Sequence, residues 1–237
     1  MNFQQSPSFS GQRVSGVQSG LSKNLFRLED VSIRFGSIQA LSNVKLSIES
    51  GEVIFLTGAS GAGKTTLLRV LSGDIKPDSG KVSIPSPKRC FISKVFQDLR
   101  LEMNKTCEQN LWAAYDTSIY ENKKEFKKDL EELASVLGFD NRLDLKVKDA
   151  NGGLKQKVAI ARALLAKPDV FIADEPTASL DSGNARRLFE ILNIYNVRKG
   201  MTVIWASHNK ELVKNFSGRI IHLDNGKLIY TGHACFI

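Results

Sequence analysis

The chain has 237 residues, of which 42% are hydrophobic and 24% are charged, the composition of an ordinary globular protein of one or two domains. Its net charge of +8 favours anionic partners such as nucleotides, nucleic acid or a membrane surface, although a merely solvated surface is an equal alternative. Three widely separated cysteines fit a reducing compartment. We expect neither a membrane span nor a signal peptide, so a partner would have to hold the protein at any membrane.

The first predicted elements surround a glycine-rich loop. Residues 1–24 are rich in Ser, Gln and Gly, so we expect a disordered tail, followed by a single folded domain over 25–237. Alternating apolar residues at 44–48 predict a half-buried strand, and the apolar run Val53–Leu56 predicts the next one. A helix is expected after the loop, with its end near Gly73.

Farther along, helices and strands alternate. A turn leads to a short predicted strand at Lys81–Ile84, and residues 121–137 suit an amphipathic helix. Continuous apolar runs at 170–173 and 203–206 predict strands buried on both faces of a parallel sheet. This alternation predicts a doubly wound α/β domain, whose ligands bind at the carboxyl ends of the strands. The other predicted elements are a helix after Gly153 that ends by Pro168, a helix from Ala185 to Gly200, and a hairpin over 220–230.

The most specific motif is Gly-Ala-Ser-Gly-Ala-Gly-Lys-Thr, which fits the phosphate-binding pattern G-x-x-x-x-G-K-[ST] and is called the phosphate loop below. A glycine-rich turn is the alternative, but the flanking strand and helix are the context that the motif requires. Lys64 would reach the β- and γ-phosphates of a nucleotide, and the Thr65 hydroxyl would ligate Mg²⁺. The residues predicted to bind ATP here are Gly58, Ala59, Ser60, Gly61, Ala62, Gly63, Lys64, Thr65 and Thr66.

Two acidic residues close the apolar run at 170–173. Asp174 could hold Mg²⁺ through water, and Glu175 could orient or deprotonate an attacking water. The alternative is a pair of acidic residues that opens a surface loop. The presence of a phosphate loop in the same chain favours the functional interpretation.

In this order, the motifs resemble those of the ATP-binding cassette (ABC) ATPases over about residues 25–231. The resemblance implies a P-loop NTPase fold with an ABC-type core, a mostly parallel sheet, antiparallel β elements and a helical subdomain. It places the nucleotide-binding core at 25–98 and 151–237 and the helical subdomain at 99–150. The cofactors implied are ATP and Mg²⁺.

The resemblance also implies roles for single residues. Phe35 would stack on adenine, Asp181 would belong to the D-loop, and His208 would contact the γ-phosphate. Gln97 would touch Mg²⁺, which makes Thr65, Gln97 and Asp174 the metal set and Glu175, His208 and Gln97 the catalytic set. Core packing or a surface turn is the alternative for Phe35 and Gln97. His222 and His233 match no motif and are interpreted as structural.

One motif departs from the family pattern. The family usually has Leu-Ser-Gly-Gly-Gln where this chain has Ala150-Asn151-Gly152-Gly153-Leu154, called the signature segment below. The N–H groups of Gly152 and Gly153, at a helix N-terminus, could still bind the γ-phosphate held by another subunit. The Asn151 amide replaces a hydroxyl and is also a good N-cap. We expect slow turnover, since a misplaced donor costs on the order of 2–4 kcal/mol in transition-state stabilisation. The excursion between Gly80 and Gln97 is also shorter than in the family.

Residues 51–64 and 95–110 look like those of the FtsE-type cell-division ATPases, the cytoplasmic partners of the membrane protein FtsX. This implies a homodimer on the inner face of the plasma membrane, with an FtsX-like transmembrane partner docked near Gln97–Leu101 and no nucleic acid. Lipoprotein-release and macrolide-efflux ATPases share the pattern, so a transporter ATPase is one alternative. A module that binds ATP but hydrolyses it weakly is the other.

Overall fold

The computed structural model describes residues 24–207 and 217–234. The predicted tail, apart from Asn24, therefore lies outside the described residues, as does His208. The described chain forms two compact units. We call residues 24–98, 168–207 and 217–234 the core unit and Leu99–Lys167 the helical unit.

The secondary structure follows the predicted alternation. In chain order the elements are β1 (Asn24–Phe35), β2 (Ile38–Glu49), β3 (Val53–Thr57), α1 (Lys64–Leu71), β4 (Ser79–Ser83), β5 (Ile92–Val95), α2 (Cys107–Trp112), α3 (Lys123–Val136), two 3₁₀ turns (Asp140–Arg142 and Val147–Asp149), α4 (Gly152–Leu165), β6 (Val170–Asp174), α5 (Ser182–Lys199), β7 (Thr202–Ala206), β8 (Gly218–Asp224) and β9 (Lys227–Ala234).

A three-stranded antiparallel sheet in the order β2-β1-β4 forms one layer of the core unit. Val44, Leu46 and Ile48 of β2 are buried and alternate with exposed residues, as predicted for a half-buried strand. The strand β1 begins at Asn24, one residue inside the predicted tail, and its pairing shifts register near Asp30, which has a φ of 52°. Short β4 ends one residue before Ile84, the predicted last residue of that strand.

The second sheet has six strands in the order β5-β6-β7-β3-β8-β9. All its pairings are parallel except the β8–β9 hairpin, so the predicted mostly parallel sheet with antiparallel elements is confirmed. Every residue of β6 and β7 is buried, as their continuous apolar runs predicted. Because β3, β6 and β7 are neighbouring parallel strands, their carboxyl ends meet at one edge of the sheet, where the phosphate loop and Asp174 lie.

The helical unit contains α2, α3 and α4. Asn122 caps α3 by accepting a hydrogen bond from Glu125 N, and Phe126, Leu130 and Leu133 are buried on one face, as the amphipathic pattern predicted. Helix α4 contacts α2 and α3 and groups with them, although the family resemblance implies that residues from 151 onward belong to the nucleotide-binding core. No helix within 24–207 or 217–234 has the length and apolar character of a membrane span.

Candidate functional site

The phosphate loop connects the end of β3 to the start of α1 in the core unit. Gly58, Gly61 and Gly63 have φ values of 145°, 79° and 102°, a region that glycine adopts without a steric penalty. A Cβ atom on Gly58 would lie 2.3 Å from the Leu223 carbonyl oxygen, and one on Gly63 would lie 2.5 Å from that of Ala40. The surrounding backbone therefore requires glycine at both positions.

Lys64 lies inside this loop rather than extending into solvent. Its side chain is only 6% exposed, and Nζ donates hydrogen bonds of 2.8 Å to the Gly58 carbonyl and 2.9 Å to the Ala59 carbonyl. A buried ammonium at the N-terminus of a helix creates a positive site for an anion. Lys64 and the preceding glycines thus have the arrangement that a phosphate-binding loop needs.

The next residue in the loop, Thr65, joins it to the end of strand β6. Thr65 Oγ1 donates a hydrogen bond of 2.6 Å to Asp174 Oδ2. Burial raises the pKa of the Asp174 carboxyl, and the hydrogen bond from Thr65 opposes that shift. A hydroxyl and a carboxylate side by side are the hard oxygen ligands that Mg²⁺ accepts alongside water and phosphate oxygens, so these two side chains fit the predicted ion.

Glu175 follows Asp174 in an unusual backbone conformation. It has a φ of 50°, which costs a non-glycine residue roughly 1–3 kcal/mol, and its N–H donates a hydrogen bond of 2.9 Å to the Ala206 carbonyl. Its carboxylate oxygen Oε1 lies 3.9 Å from Lys64 Nζ. The carboxylate therefore stands beside the lysine that would bind the terminal phosphates.

The remaining predicted site residues of the core unit lie at the surface. Phe35, at the end of β1, is 50% exposed, which leaves its ring available for stacking, and Gln97 is exposed just after β5. Asp181 caps α5 by accepting a hydrogen bond of 2.9 Å from Asn184 N. The phosphate loop contacts both Asp174 and Glu175 directly. Among the described residues, neither Phe35 nor Gln97 takes part in these contacts. The predicted position His208 falls in the undescribed gap.

Sequence reasoning missed the support behind the phosphate loop. Gly226, in the turn of the β8–β9 hairpin, donates its N–H to the Ala62 carbonyl at 3.1 Å and accepts at its own carbonyl from Ser42 N at 2.8 Å. His222, interpreted as structural, lies 3.0 Å through Nδ1 from the Thr57 hydroxyl at the base of the loop. The sequence showed the hairpin turn but carried no signal for this long-range contact.

The signature segment lies at the start of α4 in the helical unit. Asn151 caps this helix, since its Oδ1 accepts a hydrogen bond of 2.8 Å from Leu154 N. Gly152 and Gly153 form the first turn, so the helix begins at the first of the two glycines. Leu154 is buried, which shows that the residue in place of the family glutamine serves packing.

These features define a P-loop nucleotide-binding domain. The sequence profile of the ABC transporter family matches residues 41–178, more than half of the chain. The chain therefore belongs to the ABC transporter family and has the fold of its ATP-binding cassettes, which are ATPases.

Two curated relatives are similar over most of the chain. The methionine import ATP-binding protein MetN of Rhizobium johnstonii is 32% identical over 229 residues, which cover 92% of this chain and 63% of MetN. The cell division ATP-binding protein FtsE of Streptococcus pneumoniae serotype 2 is 32% identical over 219 residues, which cover 87% of this chain and 94% of FtsE. The chain thus spans less than two thirds of the Rhizobium MetN.

Solved cassettes share the fold. A dimeric ATP-binding cassette in a post-hydrolysis state, bound to ADP and Pi, matches with a TM-score of 0.77 and 28% identity over 90% of this chain and all of that one. A nucleotide-free cassette from an ABC transporter matches with a TM-score of 0.73 and 25% identity over 88% of this chain and 91% of that one. The predicted ABC-type fold is confirmed.

Proposed function

We propose that the chain is the ATP-hydrolysing subunit of a membrane complex. The observation that carries this proposal is the contact set of Lys64, Thr65, Asp174 and Glu175, in which Lys64 is buried by the phosphate loop and Thr65 bonds to Asp174 at 2.6 Å. In this proposal Lys64 binds the β- and γ-phosphates, and Thr65, Asp174 and Gln97 hold Mg²⁺. When bound, the ion neutralises charge that develops on the phosphate oxygens.

Glu175 is the proposed general base. It orients a water molecule and accepts its proton while the water oxygen attacks the γ-phosphorus. The bond between that phosphorus and the β–γ bridging oxygen breaks, and the electron pair leaves with ADP, so the products are ADP and phosphate. We propose that His208 contacts the γ-phosphate and that Phe35 stacks on the adenine ring.

Two copies of the chain would complete each site. The proposed dimer places the Asn151–Gly153 segment of one copy against the γ-phosphate bound by the other, with Asp181 near the shared nucleotide. The dimeric cassette bound to ADP and Pi supports this arrangement by similarity. The start of α4 at Gly152 is exposed, and the first N–H groups of a helix have no acceptors within it. This helix end is therefore suited to bind a phosphate of the other copy.

We infer a cell-division role for the complex, with an FtsX-like transmembrane partner docked near Gln97–Leu101 at the inner face of the plasma membrane. The similarity of residues 51–64 and 95–110 to FtsE-type ATPases and the FtsE relative support this role. MetN relatives at similar identity favour the second candidate, the ATPase subunit of a transporter.

A comparison of Glu175→Gln with wild type tests the hydrolytic function. We expect the variant to bind ATP and to form a dimer in size-exclusion chromatography, while phosphate release falls by about 10²–10⁴-fold. The matched control is Glu190→Gln, which removes an exposed carboxylate of α5 that pairs with Arg186. Equal near-zero rates for wild type and Glu175→Gln would instead support a module that binds ATP with weak hydrolysis.

The partner can be identified with the same variant. Glu175→Gln, tagged and trapped with ATP, should retain its partner when native membranes are solubilised in detergent. Co-purification of a few-pass membrane protein with a large external domain would support the cell-division role. A many-pass permease would contradict it and favour transport.

A further inference from the structure

The segment Leu99–Lys105 has no regular secondary structure, but side chains of α2 and α4 hold its backbone. Arg162 of α4 donates from Nη1 to the Arg100 carbonyl and from Nη2 to the Leu99 carbonyl, each at 2.8 Å. A guanidinium that bonds through two nitrogens fixes both the position and the direction of its acceptors. Burial lowers the pKa of Arg162, and the charge of Glu102 opposes that shift. The guanidinium is therefore partly desolvated where it donates to the two carbonyl groups.

Asn110 of α2 holds the next part of the same segment. Its side chain is 1% exposed and bonds to both backbone groups of Glu102: Oδ1 accepts from the N–H at 2.8 Å, and Nδ2 donates to the carbonyl at 3.0 Å. Nδ2 also donates to the Thr106 carbonyl at 3.0 Å. Arg162 and Asn110 together therefore fix the backbone from Leu99 to Glu102.

The end of the segment is bonded to the residues that precede the signature segment. Val147 N donates to the Lys105 carbonyl at 3.0 Å, and Lys148 N donates to the Met103 carbonyl at 2.9 Å. Arg162 lies 11 positions beyond Asn151, about 16 Å along the helix axis at 1.5 Å per residue. Leu99–Lys105 is thus attached to the chain on both sides of the signature segment, through residues 147–148 before the segment and through Arg162 of α4 after it.

We propose that Arg162 is a positioning residue that fixes Leu99–Lys105 to α4, so that a displacement of the chain just after Gln97 also displaces the signature segment. This inference rests on the proposed function, in which the partner docks near Gln97–Leu101 and Asn151–Gly153 meets the γ-phosphate of a second copy. Arg162 itself contacts no reacting group. It acts through α4, whose hydrogen-bonded backbone transmits displacement along its length.

The test uses the purified full chain with MgATP and the variants Arg162→Gln and Arg162→Lys. Lysine keeps the charge but cannot donate to both carbonyl groups in the geometry of a guanidinium, and glutamine lacks the charge as well. In both variants we expect kcat to fall by about 10-fold to 100-fold, because the signature segment is misplaced. KM for ATP should not change. Hydrogen exchange should be faster at the amides of Val147 and Lys148 and unchanged in α3. Arg142→Gln, an exposed arginine of the same unit, is the matched control and should resemble wild type in both measurements.

Other outcomes would overturn the inference. Wild-type kcat and wild-type exchange in both variants would show that the contact positions nothing. Faster exchange throughout the helical unit, or a rise in KM without a fall in kcat, would show a general structural role. If wild type and Arg142→Gln themselves fail to hydrolyse ATP, the proposed function fails, and exchange at Val147 and Lys148 still tests the contact. If Arg162→Gln does not fold, Arg162→Lys supplies the comparison.

Discussion

Thr65 and Asp174 are separated by 109 positions in the chain and joined by a hydrogen bond of 2.6 Å from the Thr65 hydroxyl to the carboxylate. The bond connects the first turn of α1 to the carboxyl end of β6. It brings two of the predicted oxygen ligands for Mg²⁺ together. This position leaves Asp174 only 3% exposed. Burial of a charged carboxylate lowers the stability of the folded protein.

That burial gives the first prediction, for Asp174→Asn. Because the folded-state pKa of Asp174 is raised, its stabilising contribution is complete below the unfolded carboxyl pKa of about 3.9 and is lost as pH rises through the folded value. The amide can still accept from Thr65 and carries no charge. We therefore expect Asp174→Asn to unfold at a higher temperature than wild type at pH 7, by about 2–4 °C for each kcal/mol gained, with the difference shrinking towards pH 3.

Thermal unfolding of nucleotide-free protein between pH 3 and pH 8 measures this effect. The same variant should lose Mg²⁺-dependent hydrolysis, which would show that the site retains a charge at the expense of stability. Asp140→Asn, which changes an exposed carboxyl, serves as the control and should leave the unfolding temperature unchanged. A lower unfolding temperature for Asp174→Asn at pH 7 would contradict the prediction.

The second prediction concerns the buried ammonium of Lys64. Lys64→Met keeps most of the aliphatic stem but removes the hydrogen bonds to Gly58 and Ala59 and the charge offered to phosphate. A charge-assisted hydrogen bond contributes roughly 1.5–3 kcal/mol, so ATP affinity should fall by about 10-fold to 100-fold. Equilibrium binding of a fluorescent ATP analogue measures the change. Lys45→Met, at a surface lysine, should bind like wild type, and unaltered affinity in Lys64→Met would exclude Lys64 from the nucleotide site.

Much of this fold was predictable because its strongest signals are local. The strands β6 and β7 are continuous apolar runs, and α3 has a regular apolar face, so each was identified from a short stretch of sequence. The alternation in β1 is interrupted near Asp30, where the strand pairing shifts, and β1 was not identified as a strand. The six residues of α2 are too few to establish a helical period.

The residues of the candidate site that the structure brings together were predictable for the same reason. The phosphate loop is contiguous in sequence, and Asp174 and Glu175 mark the end of an identified strand. The grouping of α4 was not predictable, because its buried residues spread around most of the helix and do not indicate which neighbours it packs against. The support of Ala62 by Gly226 depends on two residues 164 positions apart, and a single sequence does not reveal such a contact.

The third prediction concerns the altered signature segment. Asn151 Oδ1 accepts the hydrogen bond from Leu154 N that caps α4, so Asn151→Ala should lower the free energy of unfolding by about 1 kcal/mol. Asn151→Ser restores a hydroxyl that also caps a helix, so stability should change little. Because the family pattern has a hydroxyl at this position, we expect turnover to rise, by at most the roughly 10²–10³-fold that one well-placed donor contributes.

Denaturant unfolding and steady-state phosphate release separate the two effects of Asn151. Asn122→Ala is the matched control, because Asn122 caps α3 in the same manner but lies outside the signature segment. It should lose stability as Asn151→Ala does without any effect on turnover that exceeds the loss of folded protein. A slower Asn151→Ser enzyme would show that the amide is already the better donor.

The fourth prediction concerns a buried ion pair in the helical unit. Lys167 Nζ lies 3.3 Å from Asp129 Oδ2 and 3.5 Å from Glu125 Oε1, and it stands over the Tyr120 ring at 3.9 Å from the centroid. The side chains of Lys167 and Asp129 are only 7% and 3% exposed. Removal of the ammonium in Lys167→Met leaves the buried carboxylate without this cation, so the free energy of unfolding should fall by about 3–5 kcal/mol.

Two further variants separate the lost ion pair from lost packing. The double variant Asp129→Leu with Lys167→Met replaces both charges with apolar groups and should recover most of the loss, since a buried pair exchanged for packed hydrophobic residues is often neutral. Lys127→Met removes an exposed partner of Glu131 and should change stability by less than about 1 kcal/mol. Urea unfolding of the four proteins measures these differences. A double variant no more stable than Lys167→Met would show that the lysine stem and its contact with Tyr120, rather than the charge pairing, hold α3 to the end of α4.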